Sequence, residues 1–418
     1  MIKYRRVIYI SYDGLLDPLG ASQILPYLKS IAAHPRDVHV LSFEKAHRLK
    51  EKEALKRAEL AGMRIRWTPL VFTSHFGSVG KVWDLLRMHV KAYQIASRDR
   101  SGLVHARGHA GAQVGLFLKR RLGLKLIFDF RGLWVDERVD KGSWFLRNPL
   151  HRAQYSYYKK IECKLLREAD QIVVLTHAVV EEVLRLGARS RDSVTVIPCC
   201  ADFDHFLLAT EESRELARDK CGISQDSLVL GYLGSVGGMY LSDRFFCLVK
   251  LVAIKSPNME VLALTPDLER FESEKKKYLS SEYHRLVHSK FATRDEVAAT
   301  LPAMDLLVSF IRPSYARIAS SPTKLAESFA AGIPAICNHG VGDVTQLVQK
   351  LDAGVVVDAS SDEALALIAA DLSSLRGKGG PRLRDAARKE LGLEIAVKLY
   401  RGIYEALDHD CLHTDEVW

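Results

Sequence analysis

The feature that most constrains the fold is a series of short apolar runs, rich in β-branched residues, that alternate with helix-length segments. Continuous apolar strands between helices indicate parallel sheets covered on both faces. Two such series, each starting afresh, predict an α/β chain of two doubly wound, Rossmann-like domains. The predicted strands are 7–11, 38–43, 65–70, 103–107, 126–130, 171–176 and 194–198, then 228–234, 261–265, 286–291, 306–311, 335–337 and 354–358.

The length of 418 residues suits two domains of roughly 200 residues each. The predicted domains are 1–200 and 201–390, because the strand ending at Pro198 is followed by an irregular polar stretch. Residues 391–418 are predicted to contain an amphipathic helix. Its apolar stripe comprises Ile395, Leu399, Ile403 and Leu407.

The charge balance favours anionic partners, since 60 Lys and Arg against 51 Asp and Glu give a net charge of +9. Nucleic acid is the weakest of these, because the cations are spread along the chain without a recognition motif.

The seven scattered cysteines contain no Cys-x-x-Cys pair, which favours reduced thiols and no structural metal. The apolar run near the start is short for a secretory signal, and no run approaches the roughly 18 residues of a membrane span. We expect a cytoplasmic protein without a metal or other cofactor.

The segment "SPTKLAESFAAGIPAI" (321–336) predicts a helix with a binding function at its start. Ser321 is a good N-cap, Pro322 suits the first helical position, and Gly332 suits the C′ position. The predicted helix therefore runs from about 322 to 331.

The first turn of this helix has the chemistry of a nucleotide site. The free N–H groups at Ser321, Thr323 and Lys324 form an anion site, and the Lys324 ammonium adds a full charge. Glu327, one turn along, can accept hydrogen bonds from the two hydroxyls of a ribose. The alternative is a surface ion pair between Lys324 and Glu327, worth a few tenths of a kcal/mol.

A glycine loop follows the first strand of the second domain. Gly234 and Ser235 end the run "LVLGYLG", where glycine lets the backbone approach a phosphate and the loop N–H groups can bind it.

Two loops of the first domain carry polar residues at strand ends, where parallel sheets bind ligands. Arg107 and His109 follow one strand, although a helix-capping or merely exposed histidine would explain His109 equally well. Arg131 and Asp136 follow the next strand. Arg131 can clamp a phosphate and Asp136 can orient an acceptor hydroxyl, or both can belong to a surface salt-bridge network.

A basic helical face is predicted in "YSYYKKIECKLLREAD" (155–170). With residues 144–152 it is a candidate for peripheral membrane association through 144–167, and an ordinary solvated face is the alternative. The cations concerned are Lys159, Lys160, Lys164 and Arg167.

Four segments resemble retaining glycosyltransferases of family 4, and the similarity spans nearly the whole chain. Residues 321–348 are similar to the donor-binding signature, 196–206 to the interdomain linker, 234–243 to the glycine loop and 11–32 to the acceptor-side loop of members that build bacterial polysaccharides.

The resemblance implies a GT-B fold, in which two domains face a central cleft and the final helix crosses back onto the first domain. It places Glu327 on the ribose and His109 on the donor sugar. The acceptor-side residues it implies, with Arg107, are Gly20, Ala21, Ser22 and Gln23.

The sequence departs from the family at two places. Many members carry a glutamate where this chain has Ala319, so sugar recognition must come from elsewhere. Many also have an Arg and a Lys after the glycine loop, and none occurs here before Arg244. We expect Lys324, Arg312 and Arg317 to supply the missing charge, with a solvated loop cation as the alternative for Arg312.

The implied activity is that of a metal-free hexosyltransferase. It would move a sugar, with retention, from a nucleotide diphosphate sugar to a hydroxyl of an acceptor glycan. The acceptor would be lipid-linked, at the inner face of a bacterial membrane during cell-surface polysaccharide synthesis. A nucleotide-sugar epimerase, and a degenerate partner that binds a nucleotide or glycan without turnover, remain open.

Overall fold

The computed structural model describes residues 6–32, 36–73 and 77–409 and divides the chain into two α/β units. The first unit is Met1–Pro198 together with Glu394–Trp418. The second unit is the single segment Cys199–Leu393.

The sheet of the first unit has seven strands, all parallel, in the order β3-β2-β1-β4-β5-β6-β7. The strands are β1 (Arg6–Ser11), β2 (Asp37–Glu44), β3 (Ile65–Val71), β4 (Leu103–Arg107), β5 (Lys125–Asp129), β6 (Gln171–Val174) and β7 (Val194–Val196). The helices are α1 (Pro18–Gln23), α2 (Leu25–Ala32), α3 (Ala46–Leu60), α4 (Gly77–Asp99), α5 (Gly108–Leu122), α6 (Trp134–Asp140), α7 (Pro149–Glu168) and α8 (Val180–Leu186).

The sheet of the second unit has six strands, all parallel, in the order β10-β9-β8-β11-β12-β13. The strands are β8 (Leu228–Leu233), β9 (Met259–Leu264), β10 (Val287–Lys290), β11 (Leu306–Ser309), β12 (Ala335–Asn338) and β13 (Gly354–Val357). The helices are α9 (Glu211–Cys221), α10 (Ser242–Lys255), α11 (Leu268–Tyr278), α12 (Arg294–Thr300), α13 (Thr323–Ala330), α14 (Val344–Leu351), α15 (Asp362–Ala370), α16 (Leu372–Arg376) and α17 (Pro381–Leu391). The last helix of the chain is α18 (Leu393–His409).

The predicted fold class is confirmed, because every apolar run proposed as a strand is a strand of one of these two sheets. Both faces of the second sheet are buried. Val229 and Leu233 of β8 belong to one core cluster, while Leu230 and Tyr232 belong to another. Since successive side chains of a strand point to opposite faces, each cluster lies on its own side of the sheet.

Helix α18 packs on the first unit through aromatic side chains. The Tyr404 hydroxyl lies 2.8 Å from Nδ1 of His105 on β4, and the ring of Tyr400 packs against that of Tyr27. The predicted apolar stripe is wrong for Leu399, which is exposed, whereas Tyr400 and Tyr404 are buried. Ile403 and Leu407 are buried as predicted, and Tyr400 and Tyr404 widen the buried face with aromatic rings that also carry a polar group.

Burial lowers the pKa of His105 to about 4, so this imidazole is neutral at neutral pH. Its Nε2 has no hydrogen-bond partner in the described part of the chain, which leaves Tyr404 as the polar contact of the ring.

Replacing Tyr404 by phenylalanine should destabilise the protein by about 1–2 kcal/mol, because a buried imidazole nitrogen then loses its partner. The matched control is Tyr157→Phe, since Tyr157 is 61% exposed on α7 of the same unit. Urea unfolding followed by circular dichroism measures both. Equal effects of the two substitutions would contradict a specific role for the His105 contact.

Candidate functional site

The glycine loop after β8 is held by its neighbours in a conformation that needs glycine. Gly234 has a φ of 101°, and its N–H donates to the Leu264 carbonyl at 2.9 Å. The Tyr232 hydroxyl donates to the Ser235 carbonyl at 2.7 Å. The Val236 N–H, one residue further on, donates to the Asp267 carboxylate at 3.0 Å. The loop is therefore fixed in place before any ligand arrives.

Helix α13 begins differently from the prediction. Pro322 is the N-cap residue, and Ser321 makes no capping bond. Instead, the Ser321 Oγ accepts a hydrogen bond from the Cys199 backbone N–H at 3.1 Å. The capping prediction is wrong because a distant backbone donor occupies this oxygen. Thr323, the first helical residue, keeps the free N–H expected of a helix start.

The end of α13 agrees with the sequence. Gly332 has a φ of 74° and donates to the Phe329 carbonyl, while Ile333 donates to the Ser328 carbonyl. This pair of bonds is the Schellman motif, which ends a helix at glycine.

Lys324 lies buried on the first turn of α13 and points at the glycine loop. Its Nζ is 4.1 Å from the ring centroid of Tyr240 and 5.6 Å from that of Tyr232. A Cβ built on Gly234 would lie 3.4 Å from this Nζ. Burial lowers the Lys324 pKa to about 8. An ammonium ion held against aromatic rings beside a glycine loop is placed to meet a phosphate.

Glu327 lies one turn further along α13 and is partly buried. Burial raises the Glu327 pKa to about 7, against the opposing charges of Arg294 and Lys324. Among the described residues, no ion pair joins Lys324 to Glu327, so the surface ion pair considered above is not formed. Both charges are left for a ligand.

The two arginines expected to replace the family's cations are placed differently. Arg317 is buried, donates to Ser320 Oγ at 3.1 Å and packs on Met239, beside Tyr240. Arg312 is exposed, and only its backbone N–H reaches the loop, donating to the Met239 carbonyl at 2.7 Å. The structure therefore brings Arg317 to the glycine loop with Lys324, and leaves the Arg312 side chain in solvent.

The sequence reasoning missed Arg270, on the first turn of α11. A Cβ built on Gly237 would lie 2.1 Å from Arg270 Nη2, so the guanidinium rests on the glycine loop itself. No carboxylate pairs with Arg270 in the described segments. Arg244 is the first basic residue after the glycine loop in the sequence, but it pairs with Asp362 instead. The one sequence feature that pointed to a close neighbour of the loop was Gly237, its second glycine, which has a φ of 72°.

The raised pKa of Glu327 costs stability at neutral pH, which the Glu327→Gln variant should reveal. A raised carboxyl pKa means that the folded state holds its proton up to about pH 7, whereas the unfolded chain releases it near 4.5. The free energy of unfolding therefore falls as the pH rises through that window. Glu327→Gln should stabilise the protein, measured without added nucleotide, by ~1–3 kcal/mol at about pH 8. It should have little effect at about pH 5.

Chemical unfolding at both pH values measures this effect. Glu215→Gln is the control, because Glu215 is an exposed glutamate on α9 of the same unit. A Glu327→Gln effect that did not change with pH would show that the carboxyl is not held in its protonated form.

In the first unit, Arg107 connects the strand ends of the predicted acceptor side. It is buried at the end of β4, with Nη1 3.3 Å from the Asp129 carboxylate and 3.5 Å from the Gln23 carbonyl. Its Nε lies 3.6 Å from the Asp13 carboxylate. Arg131 pairs with the other oxygen of Asp129 at 3.4 Å. The structure thus brings Gln23, Arg107 and Arg131 together.

The remaining acceptor-side residues lie on the short helix α1. Gly20 is buried, and a Cβ there would lie 2.0 Å from the Gly14 carbonyl oxygen, so only glycine fits. Ala21 and Ser22 are partly buried, and the Ser22 hydroxyl donates to the Pro18 carbonyl.

A buried chain of ion pairs joins His109 to Asp136, the two remaining candidate residues of the first unit. His109 Nε2 lies 2.7 Å from Glu162, and Lys159 lies 2.6 Å from Glu162 and 2.8 Å from Asp136. The Tyr155 hydroxyl donates to the second Asp136 oxygen at 2.8 Å. Burial opposes ionisation of Glu162, but the bonds from His109 and Lys159 leave its pKa lowered. His109 is therefore neither a helix cap nor an isolated exposed ring.

Lys159 does not belong to the solvated basic face on which it was predicted. It turns inward to Asp136 and Glu162, which raise its pKa although burial acts the other way. Lys160, Lys164 and Arg167 are exposed, as the basic face requires. The sequence analysis missed the inward turn because Asp136 lies 23 residues from Lys159 and Glu162 was not considered as its partner.

Replacing Lys159 by methionine should destabilise the protein by about 3–5 kcal/mol, since two buried carboxylates lose their shared cation. Lys160→Met is the matched control, because its side chain is the exposed neighbour and should change stability by less than about 0.5 kcal/mol. Thermal and urea unfolding compare the two. A mild Lys159→Met effect would mean that Asp136 and Glu162 do not share a charge-balanced network.

The described residues contain no helix that is both long and apolar enough to cross a membrane. Nor do they contain a group of three or more His, Cys, Asp or Glu side chains arranged to hold a metal ion.

Comparison with known proteins identifies the fold. Residues 21–200 match the family described as "Glycosyl transferase 4-like domain". No curated protein sequence is significantly similar to the chain. Several solved structures align along almost the whole chain, at identities low enough that they show the fold alone.

Three of these structures illustrate the likeness. HepE from Anabaena, in a complex with UDP and glucose, is 15% identical with a TM-score of 0.69, covering 96% of this chain and 100% of its own. Sucrose-phosphate synthase from Thermosynechococcus elongatus is 16% identical with a TM-score of 0.68, covering 96% and 100%. WaaG, described as a glycosyltransferase involved in lipopolysaccharide biosynthesis, is 17% identical with a TM-score of 0.63, covering 94% and 99%.

The two sheets, with seven and six parallel strands, are those of the GT-B glycosyltransferase fold. The family model matches residues 21–200 of the first unit, and the likeness to the solved structures extends the shared fold to nearly the whole chain.

Proposed function

We propose that this chain is a metal-independent, retaining glycosyltransferase. It moves a hexose from a nucleotide diphosphate sugar to a hydroxyl of an acceptor glycan. The observation that carries the proposal is the start of α13, where the Lys324 ammonium faces Gly234 and Glu327 lies one turn away without an ion-pair partner among the described residues.

The diphosphate of the donor binds between the glycine loop and the first turn of α13. The N–H groups at Ser235 and Thr323 and the Lys324 ammonium supply donors and charge. Gly234, whose own N–H is bonded to the Leu264 carbonyl, lets the backbone come close to the phosphate. Arg317 and Arg270 contribute further positive charge beside the same loop. A bound diphosphate favours protonated Lys324, so it reverses the effect of burial on that pKa.

The ribose of the donor binds to Glu327. Both hydroxyls of a vicinal diol can donate to one carboxylate, and this requires the ionised form. Because the pKa of Glu327 is raised in the protein alone, binding of the ribose removes the proton from this carboxyl. The nucleotide thus supplies partners for Lys324 and Glu327, which form no ion pair among the described residues.

Transfer breaks the bond from the anomeric carbon to the diphosphate oxygen and forms the bond to the acceptor oxygen on the same face of the sugar. The acceptor proton passes to an oxygen of the leaving diphosphate. Lys324 and the helix N–H groups stabilise the negative charge that develops on that leaving group.

We assign the acceptor to the carboxyl ends of β1, β4 and β5 in the first unit, where Gln23, Arg107 and Arg131 lie together. His109 is the proposed contact for the transferred sugar, and the Lys159 network fixes its ring. We propose a lipid-linked acceptor of bacterial cell-surface polysaccharide synthesis. The shared fold with WaaG and the exposed cations on α7 support this assignment.

Thermal unfolding with UDP, GDP, ADP, TDP and CMP tests the donor site. A nucleotide at 100 times its dissociation constant should stabilise the protein by about 2.7 kcal/mol. We expect one diphosphate to raise the midpoint for wild type and for the exposed control Glu215→Ala, and Glu327→Ala to abolish the gain. If no nucleotide raises the midpoint, donor binding either waits for the acceptor or has been lost, and the degenerate, non-catalytic partner becomes the leading interpretation. A shift that survives in Glu327→Ala would place the nucleotide elsewhere.

A further inference from the structure

The imidazole of His109 is buried, yet one of its two nitrogens has no partner. The side chain is 9% exposed, and Nε2 lies 2.7 Å from the Glu162 carboxylate of α7. No hydrogen bond joins Nδ1 to another of the described residues. A polar atom in so buried a side chain costs free energy unless it is bonded, which makes Nδ1 a candidate contact for a ligand.

Three aromatic rings enclose this imidazole. The ring centroids of Phe128, Phe130 and Trp134 lie 5.6, 5.4 and 5.7 Å from that of His109. Both phenylalanines are fully buried. The imidazole therefore cannot turn over and exchange its two nitrogens without displacing packed side chains and losing the bond to Glu162.

The bond to Glu162 decides which ring nitrogen carries the proton. The Lys159 ammonium, which can only donate, lies 2.6 Å from Oε1 of Glu162, and Nε2 of His109 lies beside Oε2. A carboxylate bound to an ammonium is ionised and has no proton to give. The hydrogen between the two side chains therefore belongs to Nε2.

The charges around the ring favour its neutral form. The Glu162 carboxylate attracts a second proton to the imidazole, but the Lys159 ammonium on the same carboxylate weakens this attraction. Lys159 also holds Asp136 of α6 at 2.8 Å. The Arg138 guanidinium of α6 lies 4.9 Å from the ring centroid of Trp134, which packs on the imidazole. These two carboxylates and two cations cancel, and burial opposes a further charge, so Nδ1 keeps its lone pair.

We propose that Glu162, supported by Lys159, is a positioning residue that holds His109 as the Nε2–H tautomer, so that Nδ1 accepts a hydrogen bond from a hydroxyl of the transferred sugar. A hydroxyl can donate this bond, whereas a carboxylate, an ether oxygen or a methyl group at the same place cannot. His109 thereby selects a sugar with an unsubstituted hydroxyl at this contact. The inference deepens the proposed function, on which it rests for the identity of the ligand.

Nuclear magnetic resonance of the full chain, labelled with ¹⁵N-histidine, measures the tautomer directly. The His109 signals are assigned by their loss in His109→Gln. Without ligand at about pH 8, we expect a protonated Nε2 and an unprotonated Nδ1 in the wild type. The same is expected of the control Glu51→Gln, because Glu51 is exposed on α3 of the same unit. A proton on Nδ1 of the wild type would overturn the proposal, and this spectrum decides even where a variant does not fold.

Glu162→Gln removes the constraint on the proton, because an amide can either accept from Nε2 or donate to it. Both tautomers should then appear in the spectrum of this variant. A spectrum with the wild-type tautomer alone would show that Glu162 does not set it.

Calorimetric titration measures the sugar contact on the same variants. The probes are the nucleoside diphosphate that stabilises the protein and its glucose, galactose and mannose conjugates. The gain in affinity that the sugar adds should fall roughly three- to tenfold in Glu162→Gln and stay unchanged in Glu51→Gln, with the diphosphate binding all three proteins equally. No gain in the wild type, or an undiminished gain in Glu162→Gln, would overturn the proposal. Since the tautomer is measured without a nucleotide, a failure of the proposed donor site and a failure of this inference are separate results.

Discussion

The start of α13 in the second unit carries two opposite charges that lose contact with solvent and do not pair with each other. Lys324 and Glu327 lie on successive turns of α13, and loss of solvent moves both pKa values toward neutrality. The core clusters around the sheet keep α13 from shifting to relieve this cost, since its apolar face is fully buried. A ligand that pairs with both charged forms would shift the two pKa values back and thereby stabilise the folded state.

In the first unit, by contrast, the buried charges pair with one another. Lys159, Glu162 and Asp136 satisfy one another, so their side chains are fixed in place and have little capacity left for a ligand. His109 is held by this network through Nε2 alone. Groups satisfied within the fold are suited to positioning, whereas groups left unsatisfied are suited to binding. This distinction separates the supporting residues behind His109 from the binding residues on α13.

The sheets were predictable because their signal is local: a buried parallel strand is a continuous apolar run, and each run is visible without its neighbours. The C′ glycine at Gly332 was predictable for the same reason. Arg270 was not, because it reaches the glycine loop from another helix. The inward turn of Lys159 and the bond from Cys199 to Ser321 also depend on residues distant in sequence. Local patterns place the backbone, and long-range contacts decide which polar side chains remain available.

The division of the chain has a consequence for its synthesis. The first unit is interrupted after Pro198 and resumes at Glu394, so 195 residues of the second unit are made before α18. At the usual rate of translation this takes about 10–40 s. During that time, the β4 surface around His105 lacks the tyrosines that cover it in the finished protein. The second unit is one uninterrupted segment and can fold as it leaves the ribosome, whereas the first unit is completed only when α18 has been made. Until then the β4 surface around His105 stays uncovered.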